Sequence, residues 1–313
     1  MVAHLPIFIT GATGFIGRFL VEELLKKGYR NLTALVRKTS KKQFLQDKDV
    51  RLIEADVSDF LSLAQIKEDY EVVFHCAGWV SEKNRKNLKR INVVGTENIC
   101  RWAYERKVKK FIYLSSVAVN SGNPGLPLTE DAPYCPTNYY GVSKLEAERM
   151  AIKFRSLGLP MVIVRPCMVY GPGEPHLLGL LTCLLKLRLL FLPNRGMVKL
   201  HLVSVRNVVD FLLRCLEDNR AEGEVFQIAD KEVLTTAEIF TLLAEGLGAP
   251  KPLLLSYSTT KALSFLPVLG RRIKFFCKDR VYSIEKVRQK LNYLPPYEAK
   301  EELFWTASSF CRD

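Results

Sequence analysis

The sequence predicts an α/β protein built on a doubly wound parallel sheet, followed by a smaller, mostly helical C-terminal lobe. Over the first 170 residues, short apolar runs alternate with longer stretches that have the periodicity of helices. Runs rich in Val, Ile and Phe are typical of strands covered on both faces, and right-handed crossovers between such strands give a parallel sheet. We therefore expect one domain over residues 1–170 and a second lobe over residues 171–313, with the chain crossing between them.

Six apolar runs are predicted to be the strands of this sheet. In chain order they are "PIFIT" (6–10), "LTALV" (32–36), "VRLIEAD" (50–56), "EVVFHCAG" (71–78), "KFIYLSS" (110–116) and "PMVIVRP" (160–166). Helices are predicted between them, as in "FLVEELLKKG" (19–28) and "NVVGTENICRWAYER" (92–106). Three later segments indicate a helical lobe with short strands between: "PHLLGLLTCLLKLRLLFLPNRG" (175–196), "TTAEIFTLLAEGLG" (235–248) and "YSIEKVRQKLNYLPPYEAKEELFWTASSF" (282–310).

Composition excludes several classes of protein. A chain of 313 residues with 48% hydrophobic content can bury a large core. Its longest apolar stretch, residues 177–193, is interrupted by Lys186 and Arg188 and falls short of the roughly 18 unbroken apolar residues of a membrane span. The opening "MVAHLPIFITG" lacks the pattern of a secretion signal, so we expect a cytoplasmic protein. Eight scattered cysteines and four histidines without ligand spacing predict neither a disulfide framework nor a metal site.

The net charge of +13 is compatible with solvated surface faces or with attraction to an anionic membrane surface. No aromatic interleaving or DNA-reading motif accompanies the basic runs, so no nucleic-acid partner is expected. The leucine-rich segments 177–193 and 261–276 have two interpretations: they pack over a pocket, or one lies on an anionic bilayer, with Arg271 and Arg272 at the headgroups. The sequence also leaves open a homodimer.

The stretch "FITGATGFIG" (8–17) places Gly11, Gly14 and Gly17 at the junction between the first predicted strand and the helix that follows it. Glycines there let the backbone approach a pyrophosphate, and the helix N-terminus offers free N–H groups and the positive end of its dipole. The spacing is G-x-x-G-x-x-G, which differs from the common G-x-G-x-x-G fingerprint. Its position at the first strand–helix junction of a parallel sheet favours a nucleotide site, with Thr13, Phe15 and Ile16 contributing from the same turn.

Seven motifs in fixed order give a resemblance that spans nearly the whole chain: "TGATGFIG" (10–17), "DVSD" (56–59), "HCAG" (75–78), "NVVGT" (92–96), "YLSS" (113–116), "YYGVSK" (139–144) and "RPCMVYGPG" (165–173). This order resembles the extended short-chain dehydrogenase/reductases. The resemblance implies an NAD(P)-dependent enzyme with a Rossmann domain that acts on a small molecule. It covers reductase and hydroxysteroid-dehydrogenase-like branches as well as sugar-nucleotide epimerases. Many relatives carry an acidic pair where this chain has Arg206 and Asn207.

Tyr140 and Lys144 stand four residues apart in a segment that can open a helix, so their side chains share one face. An ammonium beside a tyrosine favours the phenolate and brings the phenol toward proton transfer near neutral pH. The resemblance makes Tyr140 the acid/base, gives Lys144 a contact with the nicotinamide ribose, and makes Ser116 the hydroxyl that orients the substrate oxygen. The adjacent Ser115 and Tyr139 compete for these roles; we prefer Tyr140 because only it has a lysine at the required offset.

In dinucleotide-binding folds, residues at the end of the second strand contact the 2′ position of the adenosine ribose. Here that strand end carries Arg37 and Lys38, which favour a 2′-phosphate and hence NADP(H), while NAD(H) stays open. The resemblance places further residues on the cofactor, namely Asp56, Val57, Ala77 and Gly78 on the adenosine side and Pro166, Cys167 and Met168 beside the nicotinamide.

The favoured function is an NADP(H)-dependent oxidoreductase that moves a hydride to or from a carbonyl or hydroxyl carbon by a Ser-Tyr-Lys mechanism. An NAD(P)-dependent sugar-nucleotide epimerase is the alternative, although such relatives often carry an acidic residue at the second strand. A nonenzymatic dinucleotide-binding scaffold is the third hypothesis. The substrate itself is not identified by the sequence.

Overall fold

A central parallel sheet organises the computed structural model, which describes residues 4–176, 178–265 and 277–311. The strands within these ranges are β1 (Ile7–Thr10), β2 (Leu32–Val36), β3 (Arg51–Glu54), β4 (Val72–His75), β5 (Lys110–Leu114), β6 (Met161–Pro166), β7 (Met168–Tyr170), β8 (Phe191–Leu192), β9 (Lys199–Leu200), β10 (Leu202–Ser204), β11 (Val225–Ile228), β12 (Leu234–Thr235) and β13 (Leu253–Leu254). All six predicted strands form, within two or three residues of their expected ends.

Seven strands form one sheet in the order β11-β6-β5-β4-β1-β2-β3, and every neighbouring pair is parallel. Ile7 of β1 is in register with Leu32 of β2 on one side and with Val72 of β4 on the other. The strand order reverses between β1 and β4, which is the point where open α/β sheets form a ligand crevice at their carboxyl edge. The predicted doubly wound α/β fold is confirmed.

Helices cover both faces of the sheet. Those of the described residues are α1 (Phe15–Lys26), α2 (Gln43–Gln46), α3 (Phe60–Ala64), α4 (Arg85–Asn87), α5 (Gly95–Glu105), α6 (Tyr139–Ser156), α7 (Leu178–Lys186), α8 (Val205–Glu217), α9 (Thr236–Leu247), α10 (Tyr257–Leu263), α11 (Glu285–Leu291) and α12 (Ala299–Ser308); a π-helical stretch, Leu88–Val94, joins α4 to α5. Alternation along β1 sends Ile7 and Ile9 into a core with α1 and α8, and Phe8 into a second core with α5 and α6.

The C-terminal lobe has a third apolar core, in which α9 packs against α7 and α12. The segment 175–196 is less helical than its pattern predicts, because α7 ends at Lys186 and Arg188 then takes the left-handed conformation (φ +59°). That conformation cannot continue a right-handed helix. In the same way, Asn292 (φ +49°) ends α11 and divides the segment 282–310 into two helices.

Strand β11 and helix α8 come from beyond residue 170 and pack on the central sheet. The boundary at residue 170 stays a prediction. The lobe is joined to the sheet by a buried polar network in which Asn207 donates to Asp230 Oδ1 at 2.7 Å and accepts from the Tyr297 amide at 3.0 Å. Arg206 donates to Glu302 at 2.9 Å and lies 3.9 Å from the Tyr297 ring centroid. Both residues of this non-acidic pair therefore hold the C-terminal segment in place.

Among the described residues, no helix is both long enough and apolar enough to cross a membrane.

Candidate active site

The predicted site residues follow the ends of successive parallel strands, so the fold gathers them along one edge of the sheet. The residues predicted to bind the cofactor's phosphates and adenosine come first: the glycine turn follows β1, Arg37 and Lys38 follow β2, Asp56 and Val57 follow β3, and Ala77 and Gly78 follow β4. The predicted catalytic Ser116 follows β5. Pro166, Cys167 and Met168 lie at the junction of β6 and β7. This edge also contains the strand-order reversal beside β1, where a dinucleotide can lie across the sheet.

The glycine turn has a backbone that other residues could not adopt. Gly11 has φ +75°, and a Cβ there would lie 2.6 Å from the Ala77 amide nitrogen. A Cβ on Gly17 would lie 2.1 Å from the Gly11 carbonyl oxygen, so only glycine lets α1 begin this close to the turn. Gly14 is the N-cap of α1, contributes no capping side chain, and no acidic residue occupies the first turn. The helix N-terminus can therefore accept a pyrophosphate, and the residues present fit a dinucleotide.

The end of β2 is basic in the structure as in the sequence. The Arg37 side chain is partly buried and its backbone amide donates to Ser40 Oγ at 3.0 Å, whereas Lys38 is exposed. Burial alone would raise the pKa of the Asp56 carboxyl, but hydrogen bonds from Ser58 and the charges of Arg90 and Arg37 outweigh it and lower that pKa. Arg37 therefore lies near the adenosine side of the predicted site, where its charge can act on a phosphate.

The remaining adenosine-side residues are held by nearby turns and strands. Asp56 Oδ1 accepts from the Ser58 amide at 2.9 Å, and Val57 is buried. The Ala77 amide donates to Thr10 Oγ1 at 3.3 Å. A Cβ on Gly78 would make only ordinary contact, 3.6 Å from Asn92 Oδ1, so the protein alone does not require glycine there.

The structure separates the two tyrosines and the two serines that compete for the catalytic roles. Tyr139 is exposed and its ring lies under the Arg85 guanidinium, 3.5 Å from centroid to Cζ, whereas Tyr140 is partly buried beside the Ser116 hydroxyl. Ser115 is buried and donates to Glu148 Oε2 at 2.6 Å, so its hydroxyl is already engaged. Burial raises the pKa of Tyr140, and the Ser116 hydroxyl opposes that shift, so the lowering expected from the Lys144 ammonium is not what the structure shows.

Lys144 lies one turn after Tyr140 on α6 and is buried. Its Nζ donates to the Leu114 carbonyl oxygen at 2.7 Å and sits 4.7 Å from the centroid of the Tyr113 ring. Burial lowers the pKa of Lys144 to about 8, against the opposing charge of Glu148. A lysine with this pKa is charged at neutral pH and loses its proton in mildly alkaline solution, which suits a group that supports proton transfer.

A buried ion pair beneath this lysine was not predicted from the sequence. Glu148, one further turn along α6, receives hydrogen bonds from Arg165 Nε at 3.1 Å and from the Tyr134 hydroxyl at 2.9 Å, besides the one from Ser115. Arg165 also donates to the Glu130 carbonyl oxygen at 2.9 Å. The four-residue spacing from Lys144 to Glu148 is the one sequence signal that could have indicated this carboxylate, because both lie on the same helix face.

Asn92 is the first residue of the motif "NVVGT" (92–96), and no role was predicted for its side chain. Its side chain is fully buried, accepts from the Trp79 amide at 2.7 Å and donates to Ser143 Oγ at 2.8 Å. It thus ties the loop after β4 to the first turn of α6, where Tyr140 lies. His75 bridges Thr10 at 2.7 Å and Thr96 at 3.0 Å, and burial lowers its pKa to about 3, so it is a neutral structural residue.

The three predicted residues at the junction of β6 and β7 differ in their surroundings. Pro166 is the last residue of β6. The Cys167 amide donates to the Ile228 carbonyl oxygen at 3.0 Å, and burial raises the pKa of its thiol well above the ordinary value. Met168 is exposed at 38% of its surface. A thiol that stays protonated is a poor nucleophile, so the surroundings of Cys167 do not favour a nucleophilic role.

Comparisons with known proteins agree with this geometry. The profile of the NAD-dependent epimerase/dehydratase family matches residues 7–229. A UDP-glucose 4-epimerase of Vibrio cholerae is 31% identical over 321 residues, covering 97% of this chain and 95% of that protein. A decarboxylating sterol-4-alpha-carboxylate 3-dehydrogenase of Mus musculus is 26% identical over 96% of this chain and 90% of that protein. A UDP-glucose 4-epimerase structure from Thermotoga maritima shares the fold, with a TM-score of 0.80, 24% identity and 98% of each chain covered.

Proposed function

Because the chain belongs to the NAD-dependent epimerase/dehydratase family, we propose that this enzyme is an NADP(H)-dependent oxidoreductase acting on a small carbonyl or hydroxyl compound through Ser116, Tyr140 and Lys144. The family binds NAD(P) and lies within the extended short-chain dehydrogenase/reductases, as the resemblance implied. The observation that carries the proposal is the end of β2, where Arg37 and Lys38 stand and no acidic residue occurs between positions 37 and 42. A basic strand end favours a cofactor with a 2′-phosphate.

The chain's own residues divide the chemistry among three groups. A nicotinamide cofactor, when bound, would supply or accept the hydride at the substrate carbon. Tyr140 keeps its proton at neutral pH because burial raises its pKa, so its hydroxyl donates that proton to the substrate oxygen during reduction. The Ser116 hydroxyl beside it holds the same oxygen in line. The Lys144 ammonium, fixed by the Leu114 carbonyl, stabilises the phenolate that Tyr140 leaves behind.

The second candidate is a sugar-nucleotide epimerase, which the identity to the Vibrio cholerae epimerase over nearly the full chain supports. The same three side chains would serve it. The two functions differ in cofactor balance, because a reductase consumes added cofactor and an epimerase returns it within each cycle.

Multiple turnover of the purified chain separates the two candidates. We expect net oxidation of added NADPH with simple ketones and aldehydes, followed at 340 nm by loss of nicotinamide absorbance. Interconversion of UDP-sugars with no net change in cofactor would instead establish the epimerase. Cofactor binding without turnover of either class would leave only the scaffold hypothesis and contradict the proposal.

Replacing Arg37 tests the cofactor assignment. Arg37→Ala should weaken NADPH binding by about tenfold to a hundredfold, since a charge-assisted contact is worth roughly 1.5–3 kcal/mol. NADH binding should change little, because that cofactor carries no 2′-phosphate. Titration calorimetry or protein fluorescence gives both dissociation constants. Lys38→Ala is the matched control with a smaller expected effect, since Lys38 is a flexible, exposed point charge. Equal losses for both cofactors would remove Arg37 from this role.

The pH profile tests Lys144. Burial lowers its pKa to about 8, so its ammonium is present below that pH and lost above it. In the reductive direction kcat/KM should be level from about pH 6 to 8 and then fall by about tenfold per pH unit, because kcat/KM reports the groups of the free enzyme. In Lys144→Arg, whose charge persists, the residual activity should show no fall between pH 8 and 9. An unchanged profile in this variant would assign the titration to another group.

A further inference from the structure

The net positive charge of this protein is concentrated in two segments of the C-terminal lobe. Residues 175–209 contain five Lys or Arg and residues 246–278 contain six, and neither segment contains an Asp or Glu. Together they hold eleven of the thirteen net charges, whereas the basic residues elsewhere are nearly balanced by acidic ones. A charge distribution this uneven creates a positive field on one part of the surface.

The fold brings the two segments side by side. Strand β8 pairs in parallel with β13, and Phe191 is in register with Leu253. The Arg195 amide donates to the Leu255 carbonyl oxygen at 2.8 Å, and the Asn194 amide donates to Thr260 Oγ1 at 2.9 Å. Arg188 and Arg195 of the first segment and Lys251 and Lys261 of the second therefore lie on neighbouring pieces of chain.

Large apolar side chains are exposed on the same pieces of chain. We call them the leucine face: Leu187, Leu189, Phe191, Leu253, Leu254 and Tyr257, which expose between 49 and 60% of their surface. Burial alternates only over residues 189–192, where Leu190 and Leu192 are buried in the lobe core while Leu189 and Phe191 are exposed. Exposed cations accompany the face, namely Lys186, Arg188, Arg195, Lys251 and Lys261. An exposed apolar patch edged by polar residues marks an interaction surface.

We propose that the leucine face docks this enzyme on an anionic phospholipid bilayer, with its apolar side chains among the acyl chains and its lysines and arginines at the headgroups. A protein surface that binds an anionic bilayer needs apolar side chains to enter the acyl region and basic side chains to contact the headgroups, and this surface has both. A second copy of the chain is disfavoured, because it would bring two predominantly basic surfaces together. Protein interfaces favour Tyr, Trp and Arg as binding anchors, whereas leucine dominates this face.

A cavity adjoins the leucine face and bears on how a substrate could reach the enzyme. It has a volume of about 400 Å³ and is lined by the loop 123–126, by Met197, by Tyr257 of the face itself, and by the charged residues Lys278 and Asp279. The loop 123–126 lies on the connection between Ser116 and Tyr140. Resting on the proposed function, docking would let an apolar carbonyl compound reach the enzyme directly from the bilayer. The segment 266–276, with Arg271, Arg272 and Lys274, lies outside the described residues, whereas the exposed cations named beside the leucine face all lie within them.

Co-sedimentation with vesicles tests the docking without cofactor or substrate, so its outcome is independent of the proposed function. The full chain should bind vesicles of phosphatidylcholine with about one third phosphatidylserine and should not bind phosphatidylcholine alone. Binding should fall between about 0.1 M and about 1 M salt, as the Debye length shrinks from about 10 Å to about 3 Å. No binding to either vesicle, or equal binding to both, would overturn the proposal.

Two pairs of variants locate the surface. Lys251→Glu with Lys261→Glu should weaken binding by about thirtyfold or more, while the control Lys67→Glu with Lys153→Glu should not. Phe191→Ser with Leu253→Ser should weaken it by about a hundredfold, while Leu61→Ser with Leu157→Ser, which are at least as exposed but lie in the first 170 residues, should not. Loss of a concentration-dependent dimer in the Phe191/Leu253 variant, with no change in vesicle binding, would instead assign the face to a second copy.

A last comparison tests the substrate route. The Phe191/Leu253 variant should reduce a water-soluble ketone at the normal rate and a vesicle-embedded ketone at least about tenfold more slowly. Equal rates on both would overturn entry from the bilayer. Absence of any carbonyl reduction in the unmodified chain would contradict the proposed function and leave the vesicle result unaffected.

Discussion

Tyr140→Phe is expected to abolish most turnover while leaving the fold and cofactor binding intact. The substitution removes only the hydroxyl that carries the proton, and general acid catalysis of this kind contributes about a hundredfold to ten-thousandfold to the rate. Steady-state kinetics should show a lower kcat with an unchanged dissociation constant for NADPH. Circular dichroism should be identical to that of the unmodified chain, because the phenyl ring keeps the packing of Tyr140.

The neighbouring tyrosine provides a matched control for that experiment. Tyr139→Phe alters the same kind of side chain one position away, but Tyr139 is exposed and lies under Arg85. Its activity should stay close to that of the unmodified chain. The reverse result, with Tyr139→Phe inactive and Tyr140→Phe active, would exchange the roles of the two residues and require a different lysine partner.

Arg165→Ala is expected to cause the largest loss of stability. It leaves the Glu148 carboxylate, fully buried at 0% exposure, without its charged partner. Breaking a buried pair on one side costs roughly 3–5 kcal/mol, because the remaining charge cannot be solvated. Urea denaturation should show a lower midpoint with a similar slope. The exposed pair Arg101–Glu105 gives the control, and Arg101→Ala should leave the midpoint unchanged.

A double variant separates lost charge compensation from lost packing. Arg165→Met with Glu148→Met removes both charges and fills a similar volume, so it should recover most of the stability that Arg165→Ala loses. If the double variant is no more stable than Arg165→Ala, the destabilisation comes from the shape of the core rather than from an uncompensated carboxylate.

The first six strands of the sheet were predictable because each is a local apolar run that must be buried on both faces. The glycine turn was predictable for a similarly local reason, since Gly11 and Gly17 occupy positions where any Cβ would collide with nearby backbone. The helical spacing of Tyr140 and Lys144 also follows from the chain alone. In all three cases residues close in sequence determine the outcome.

Other features depended on parts of the chain that meet only in the folded molecule. Neighbouring serines look alike in the sequence, but Ser115 points to Glu148 and Ser116 lies beside Tyr140. The seventh strand, β11, joins the sheet beside β6 from more than fifty residues away, and its short apolar run carries no mark of that partner.

The leucine face shows the same division. The sequence determined that the segment 177–193 is rich in leucine and basic residues, and it allowed either a core helix or a surface on a membrane. The tertiary structure decided which leucines are buried, because α7 ends at Lys186 and the following strand pairs with β13. Leu190 and Leu192 then point into the lobe and Leu189 and Phe191 point away from it. Hydrophobic burial depends on what a side chain faces, and that is fixed only when distant segments pack together.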